Sequence, residues 1–235
     1  MKVAIVHDVL SEYGGAERVL QELLNLYPYS DLFTAYTKSE ILDTFFNKLS
    51  ASRINTSFVQ KTPLVDHNTL VQAICPLIWK FFNFNKYDLV ISISFYLACN
   101  QIKVPKNKHI QYITCPPRNI YNLMDKRPLQ KIIPYTSVIK YFYYKALRSS
   151  PYIIVDSNYI QQVLKRLFNI KSHVIYPPVK VPMSNPVRKN LKYFIIVSRL
   201  DRAKYIELAI EACNFLKLPL KIVGKPNDLY YGNYL

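Results

Sequence analysis

Residues 1–27, MKVAIVHDVLSEYGGAERVLQELLNLY, carry the pattern that decides the fold. Residues 3–6 form a continuous apolar run with β-branched members, which is typical of a strand buried on both faces. Further along, apolar residues recur at the spacing of one helix face: Ala16, Val19, Leu20, Leu23, Leu24 and Tyr27. Two of the chain's four glycines, Gly14 and Gly15, stand between these patterns. The stretch predicts a buried strand that leads through a loop into a helix.

The same alternation continues along the chain. Strand-like apolar runs lie at 31–37, 88–92, 109–113, 152–155 and 173–176, and helix-length segments lie at 70–84, 134–147 and 159–168. Strands that alternate with helices favour a parallel sheet covered by helices. The sequence therefore predicts an α/β fold that begins with a Rossmann-like domain.

A proline-rich stretch interrupts this pattern. The segment 175–190, IYPPVKVPMSNPVRKN, has prolines at 177, 178, 182 and 186, a density that blocks helices and central strands. Beyond it the opening pattern returns, with strand-like runs at 193–197 and 218–223 around a helical stripe formed by Ile206, Ala209, Ile210 and Cys213. We expect an N-terminal domain at 1–176, a linker at 177–191 and a second domain that starts at 192–235.

The second domain is short for its class. It offers about one strand–helix–strand unit, and the tail at 226–235, PNDLYYGNYL, shows no further element. Parallel α/β domains need several strands to enclose a core. We therefore expect the C-terminal domain to be truncated.

The positive charge of the chain is concentrated in one region. Between positions 89 and 200 there are 18 Lys or Arg and only two acids, Asp125 and Asp156, so this region accounts for the whole net charge of +16. Anionic phospholipid, nucleic acid or a phosphorylated small molecule could explain the excess, and so could a solvated lysine-rich surface. Nucleic acid is disfavoured, because no base-reading motif accompanies the charge.

Composition also indicates a compartment. The chain starts without the apolar h-region of a signal peptide, and its longest uncharged runs are shorter than the roughly 18 residues of a membrane-spanning helix. The four cysteines, Cys75, Cys99, Cys115 and Cys213, show no metal-binding or redox spacing. Free buried thiols in a reducing compartment fit this pattern best. We expect a cytoplasmic protein without a metal site.

Two strand-to-helix turns are candidates for phosphate binding. Gly14 and Gly15 come just before a predicted helix, whose N-terminal amides attract anions, and glycine permits close approach to a ligand. Arg199 and Lys204 occupy the equivalent turn of the second opening. A diphosphate suits this combination of amides and cations. A tight turn at the glycines and a solvated basic turn beside Asp201 are the alternatives.

Several segments resemble glycosyltransferase family 4. They are GGAERV at 14–19, DSNYIQQVLKRLF at 156–168 with VIYPPV at 174–179, and VSRLDRAKYIELAIEA at 197–212 with LPLKIVG at 218–224. The resemblance implies a GT-B fold and retaining transfer of a sugar from a nucleotide-diphosphate sugar. His7 and Asp8, together with VIYPPV, resemble most closely the mannosyltransferase-like members that use GDP-mannose.

The resemblance also implies roles for individual residues. Gly14, Gly15, Arg199 and Lys204 would bind the diphosphate of the donor, so that neither a cofactor nor a metal is required. In the segment ITCPPRNIYNLMD, members of the family often carry His–Thr–Pro or Leu–Thr–Pro, whereas this chain has Thr114, Cys115 and Pro116 and so lacks the histidine. Three residues are expected to help hold substrate: Arg118, Tyr121 and Asp8. A structural ion pair is the alternative for Arg118, and His7 is expected to be a packed strand-end residue. No catalytic nucleophile is assigned.

The basic region then allows two interpretations. The segment 127–148, RPLQKIIPYTSVIKYFYYKALR, mixes basic with apolar residues, as in interfacial helices on anionic lipid. Alternatively, its aromatic face is buried against the sheet.

The function implied overall is transfer of a sugar, mannose by the closest resemblance, to a glycan or lipid-linked acceptor. The family's Glu-x7-Glu stretch is absent from these 235 residues. A catalytically inactive module that binds a membrane or a polyanion is therefore the alternative.

Overall fold

The computed structural model of the chain describes residues 1–39, 41, 53–118, 120–121, 123, 133–179, 181, 192–226 and 229–235. The chain divides into two compact units, Met1–Lys180 and Val181–Leu235, and each is described by itself. Most of the predicted linker, 180 and 182–191, lies outside the described residues.

The first unit is built on a parallel sheet. Its strands are β1 (Val3–His7), β2 (Asp31–Thr34), β3 (Ile54–Thr56), β4 (Leu89–Ser94), β5 (His109–Ile113), β6 (Tyr152–Val155) and β7 (His173–Val174). Over the described ranges they form one seven-stranded sheet in the order β3-β2-β1-β4-β5-β6-β7, with every neighbouring pair parallel. The predicted α/β class with a Rossmann-like parallel sheet is confirmed.

Helices cover both faces of this sheet. They are α1 (Gly15–Leu26), α2 (Asn68–Ala73), α3 (Cys75–Lys80), α4 (Ile133–Leu147) and α5 (Asn158–Phe168). Val3 and Ile5 of β1 belong to a core cluster with Leu20 of α1. Val6 belongs to another cluster, which contains Trp79 of α3. Because successive side chains of a strand point to opposite faces, these clusters lie on opposite sides of the sheet.

The prediction of one helix at 70–84 is wrong, because the segment forms the two short helices α2 and α3. Pro76 lies in the first turn of α3. A proline in a helix interior has no N–H to donate, and its ring collides with the carbonyl of the preceding turn. The backbone of Ile74, with φ −100° and ψ 6°, therefore separates the two helices.

The cysteines are free thiols, as predicted. Cys75 and Cys99 are buried, whereas Cys115 and Cys213 are half-buried. Over the residues that the structure describes, every helix is too short or too polar to cross a membrane.

The second unit has the elements β8 (Phe194–Val197), α6 (Ile206–Phe215), β9 (Leu220–Val223) and α7 (Leu229–Tyr234). β8 and β9 pair in parallel. Gly224 follows β9, where a Cβ atom would lie only 1.7 Å from the carbonyl oxygen of Ser198. This close approach of two strand ends requires glycine.

The prediction that the tail contains no further element is wrong, because α7 lies within it. Tyr231 of α7 is buried, and its hydroxyl donates a hydrogen bond to the carboxylate of Glu207 on α6. The guanidinium of Arg202 lies 5.4 Å from the centre of the same ring. These contacts come from tertiary packing, which the composition of the tail does not reveal.

The small sheet of the second unit has much of its apolar surface exposed. Phe194 is 56% exposed, Val197 75% and Val223 52%. The strands at the centre of the first unit differ, since Ile5, Val6 and other core residues are fully buried.

We expect the amides of β8 and β9 to exchange hydrogen with solvent much faster than those of β1, β4 and β5. Local opening costs little free energy where few apolar contacts must be broken. Hydrogen exchange read by mass spectrometry on the whole chain measures both sets of strands at once. Equal protection of the two sheets would contradict this expectation.

Candidate functional site

The sheet order reverses between β1 and β4, so the segments that follow these two strands diverge at the carboxyl edge of the sheet. Ligands in open α/β folds bind in the crevice that such a reversal creates. Asp8 directly follows β1, and residues 95–99 directly follow β4. The candidate site is therefore built from these two segments and their neighbours.

The carboxylate of Asp8 joins the two sides of the crevice. Its Oδ2 accepts hydrogen bonds from the amides of Phe95 and Leu97, both at 2.8 Å, and from the amide of Tyr96. Its Oδ1 accepts from the amide of Cys99 at 2.7 Å. The side chain is fully buried. Burial raises the pKa of Asp8, whereas the amide hydrogen bonds act in the opposite direction.

This geometry gives Asp8 a structural task. The sequence suggested that Asp8 helps to hold substrate, but its carboxylate oxygens face backbone amides inside the protein. We therefore assign Asp8 to fixing the loop after β4. We do not expect its carboxylate to contact a ligand.

Gly14 and Gly15 lie where the sequence predicted, at the beginning of α1. Gly14 is the N-cap and has an extended backbone, with φ −130° and ψ −155°, and Gly15 is the first helical residue. Neither glycine has a positive φ. A Cβ atom on Gly15 would meet nothing within 4 Å. Neither strain nor packing against the described residues explains glycine at position 15.

Two buried side chains lie beside the N-terminus of α1. Oε2 of Glu17 accepts a hydrogen bond from the amide of Gly14 at 2.8 Å, and its Oε1 lies 3.6 Å from Nε2 of His7. His7 is fully buried, as expected of a packed strand-end residue, and its ring lies 5.4 Å from that of Phe95. Burial lowers the pKa of His7 to about 3, so the imidazole is neutral.

A second group of polar residues gathers at the carboxyl ends of β5 and β6. Burial raises the pKa of Cys115 to about 11, with the guanidinium of Arg118 acting against this shift and the carboxylate of Asp156 adding to it. Arg118 itself is exposed. Cys115, Arg118 and Asp156 are therefore close enough to interact electrostatically. Other positions of this predicted motif, 119, 122, 124 and 125, lie outside the described residues.

Tyr121 packs between α4 and α5. Its ring centre lies 5.0 Å from that of Phe168 and 5.7 Å from that of Tyr143. Its hydroxyl donates to the carbonyl oxygen of Lys140 at 3.4 Å, and burial raises its pKa. Of the predicted pair, Arg118 is therefore exposed, whereas Tyr121 is engaged in packing against α4 and α5.

Arg199 and Lys204 belong to the second unit. Arg199 follows β8, and Lys204 ends the single 3-10 turn Arg202–Lys204 that precedes α6. Both side chains are exposed. The carboxylate of Asp201 caps this turn by accepting from the amide of Ala203 at 3.0 Å. The two cations thus lie in the strand-to-helix turn where the sequence placed them.

Sequence reasoning missed Glu17 and Asp156. Glu17 had a usable signal, because a Glu three residues after a helix N-cap is the spacing of a capping box. Asp156 follows β6, beside Ser157, whose Oγ accepts from the amide of Ile160 as the N-cap of α5. A polar pair at a strand end was visible in the sequence, but its nearness to Cys115 depends on the order of the strands.

Comparison with solved structures shows what the chain is similar to. It matches sucrose-phosphate synthase of Thermosynechococcus elongatus with a TM-score of 0.57 and 16% identity, over 95% of this chain and 62% of that protein. It matches the HepE protein of Anabaena, solved with UDP and glucose, with a TM-score of 0.55 and 15% identity, over 100% of this chain and 64% of HepE. The chain thus spans less than two thirds of the length of either protein. No family model and no curated protein matches the sequence.

The chain has the fold of GT-B glycosyltransferases. At such low identity the similarity establishes the fold alone. This fold is consistent with two features of the first unit, the reversal of strand order beside Asp8 and the helix α1 that begins at Gly15.

We expect Asp8→Ala to destabilise the first unit strongly. The substitution leaves buried amides without an acceptor, at a cost of about 1–3 kcal/mol for each group that finds no new partner. Asp8→Asn should also be destabilising, because its NH2 group faces amide donors. Urea unfolding followed by circular dichroism measures the effect, with Glu211→Gln at an exposed position as the control. A loss below about 1 kcal/mol for Asp8→Ala would contradict the structural role.

Proposed function

We propose that this protein transfers a sugar from a nucleotide-diphosphate sugar to a glycan or lipid-linked acceptor. The observation that carries the proposal is the open helix N-terminus at Gly15, which lies at the carboxyl edge of a parallel sheet whose strand order reverses. Diphosphates bind to amides at such termini. The GT-B fold of the chain supports the proposal, because HepE, a protein of similar fold, binds the nucleoside diphosphate UDP.

The chemistry asks for groups that stabilise negative charge on the departing diphosphate. Amides at the beginning of α1 supply part of this stabilisation, and Arg199 and Lys204 of the second unit supply positive charge. No metal is needed in this scheme. Arg118, exposed beside Cys115, is the candidate for holding the sugar or the acceptor.

The finer assignments rest on the sequence resemblance. We propose retention of configuration at the transferred sugar, GDP-mannose as the donor, and polysaccharide or lipid-linked glycan as the acceptor. No side chain is proposed as a covalent nucleophile. Comparing GDP-mannose with UDP-glucose in the binding experiment below separates the two classes of donor.

We expect Gly15→Ala to weaken binding of the nucleotide sugar without lowering stability. The new methyl group meets no protein atom within 4 Å, and alanine is the better helix former by up to about 1 kcal/mol. A ligand that contacts the amide of residue 15 would collide with the methyl group, and we expect at least about a tenfold loss of affinity. Isothermal titration calorimetry measures the affinity, and thermal unfolding measures the stability.

The double variant Arg199→Ala/Lys204→Ala tests whether these cations of the second unit contribute to binding of the nucleotide sugar. Hydrogen bonds to charged groups contribute about 1.5–3 kcal/mol each, so binding should become undetectable. Lys217→Ala/Lys221→Ala removes the same charge from exposed positions of the second unit and serves as the control. Unchanged affinity in Gly15→Ala and in the cationic double variant would refute the diphosphate site.

A second candidate function, binding to an anionic membrane, is favoured by a separate surface. A groove of about 800 Å³ lies near the amino ends of β4, β5 and β6. Its described lining includes Lys80, Lys103 and Lys145 but no acid. We call it the amino-edge groove, and it opens at the end of the sheet opposite to Asp8.

The helix α4 beside this groove combines both interpretations of the basic segment. Its residues Tyr143 and Leu147 are buried in a cluster with Ile113 of β5 and Ile153 of β6, as one interpretation required. Tyr141 and Tyr144 are exposed, in keeping with the other. Aromatic rings and lysines that share an exposed face suit the interface of an anionic bilayer.

We expect the chain to sediment with vesicles that contain phosphatidylglycerol and not with vesicles of phosphatidylcholine alone. The triple variant Lys80→Glu/Lys103→Glu/Lys145→Glu should lose this binding, because each basic residue near the surface contributes about 1 kcal/mol. Lys61→Glu/Lys165→Glu/Arg166→Glu makes the same change of charge at exposed positions elsewhere in the first unit. Equal loss in both triple variants would show that net charge, and not the groove, controls binding.

A further inference from the structure

The N-terminus of α1 already holds an acidic side chain, that of Glu17. Its Oε2 accepts from the amide of Gly14 at 2.8 Å, and the side chain is buried. The helix has 12 residues, so its N-terminal amides attract negative charge. One of the amides that the proposed function offers to a diphosphate is therefore occupied by the protein's own acid.

The charge of Glu17 is poorly compensated. Its Oε1 lies 3.6 Å from Nε2 of His7, which is fully buried. Neither ring nitrogen of His7 meets a well-formed hydrogen-bond partner among the described residues, although the backbone of Val9 lies close enough to raise its pKa. The charged groups that act on Glu17 are Glu12 and Asp8, and both are acidic. The nearest basic residue along α1, Arg18, is exposed, with its guanidinium 5.9 Å from the ring centre of Tyr13.

Among the described residues, the other identified neighbours of the pair, Asp8 and Phe95, offer no positive charge. Asp8 already accepts from the amides that follow β4, and Phe95 places only its ring against His7. Burial raises the pKa of Glu17 and lowers that of His7. The neutral imidazole therefore provides no positive charge to balance the carboxylate of Glu17 when that carboxylate is ionised. A diphosphate at the same helix end adds like charge, which favours protonation of a neighbouring acid or base.

We propose that Glu17 and His7 form a proton-accepting pair that caps α1 in the empty protein and takes up one proton when the donor's diphosphate binds to the amides of this helix. This inference rests on the proposed function and adds a proton linkage to the same site. The proton neutralises the carboxylate or converts the imidazole into a cation between carboxylate and phosphate. Glu17 acts as a positioning residue and does not touch the reacting atoms.

The test is calorimetric titration of the whole chain with UDP-glucose, whose diphosphate has no titrating oxygen near neutral pH. Titrations at pH 6.5 in PIPES and in imidazole, which differ in ionisation enthalpy, measure the number of protons exchanged. We expect uptake of about one proton, and an affinity that falls up to tenfold for each unit of rising pH. Glu17→Gln keeps an acceptor for the Gly14 amide, and it should bind at least tenfold more tightly at pH 8 without proton uptake.

Glu22→Gln, on the same helix, is the matched control and should behave like the unaltered chain. If UDP-glucose binds the unaltered chain with the same enthalpy in both buffers, the proton linkage is overturned while the proposed function stands. Full proton uptake in Glu17→Gln would also overturn it. If neither the unaltered chain nor Glu17→Gln binds UDP-glucose or GDP-mannose, the diphosphate site itself fails, and the linkage fails with it.

Discussion

The bonding between the Asp8 carboxylate and the backbone after β4 is the constraint on which the candidate site depends. Reversal of strand order opens a crevice between the segments that follow β1 and β4. The hydrogen-bond ladder between β1 and β4 ends with the strands, so it does not join the two segments that form the walls of the crevice. A buried carboxylate is costly unless its oxygens are satisfied by hydrogen bonds. Here backbone amides satisfy them, so the same contact that makes the acid tolerable also fixes the loop opposite the beginning of α1.

Three acidic side chains at the carboxyl edge of the sheet accept hydrogen bonds from different kinds of donor. Asp8 is satisfied by the amides of a loop, and Glu17 by the amide of Gly14 at a helix end. Asp156 is only partly buried, and it accepts a hydrogen bond from the hydroxyl of Ser157 at 2.8 Å. Under the proposed function, a diphosphate would therefore bind among acidic side chains. Amides of the first unit can contact phosphate without adding charge, whereas attraction over longer range has to come from exposed cations such as Arg118.

The sequence was most informative where a pattern depends on neighbouring residues. The strands β5 and β6 have the bounds predicted from their apolar runs, because buried parallel strands are continuous in composition. The strand β3, with three half-buried residues, has no such run and was not predicted. The position of Gly15 in the site was predictable from the turn between strand and helix. The role of Asp8 was not, because its partners lie about 90 positions away along the chain.

The two ends of the first sheet place a condition on the acceptor. Strands of five or six residues, such as β1 and β4, span about 17–20 Å at about 3.3 Å per residue. A bilayer that contacts the amino-edge groove would therefore lie roughly 20 Å from amides at the carboxyl edge. A sugar attached directly to a lipid headgroup cannot bridge that distance, whereas an extended glycan of several units can. If both proposals hold, the acceptor is a long chain that grows away from the membrane, and a short glycolipid requires contact with the bilayer through a different face.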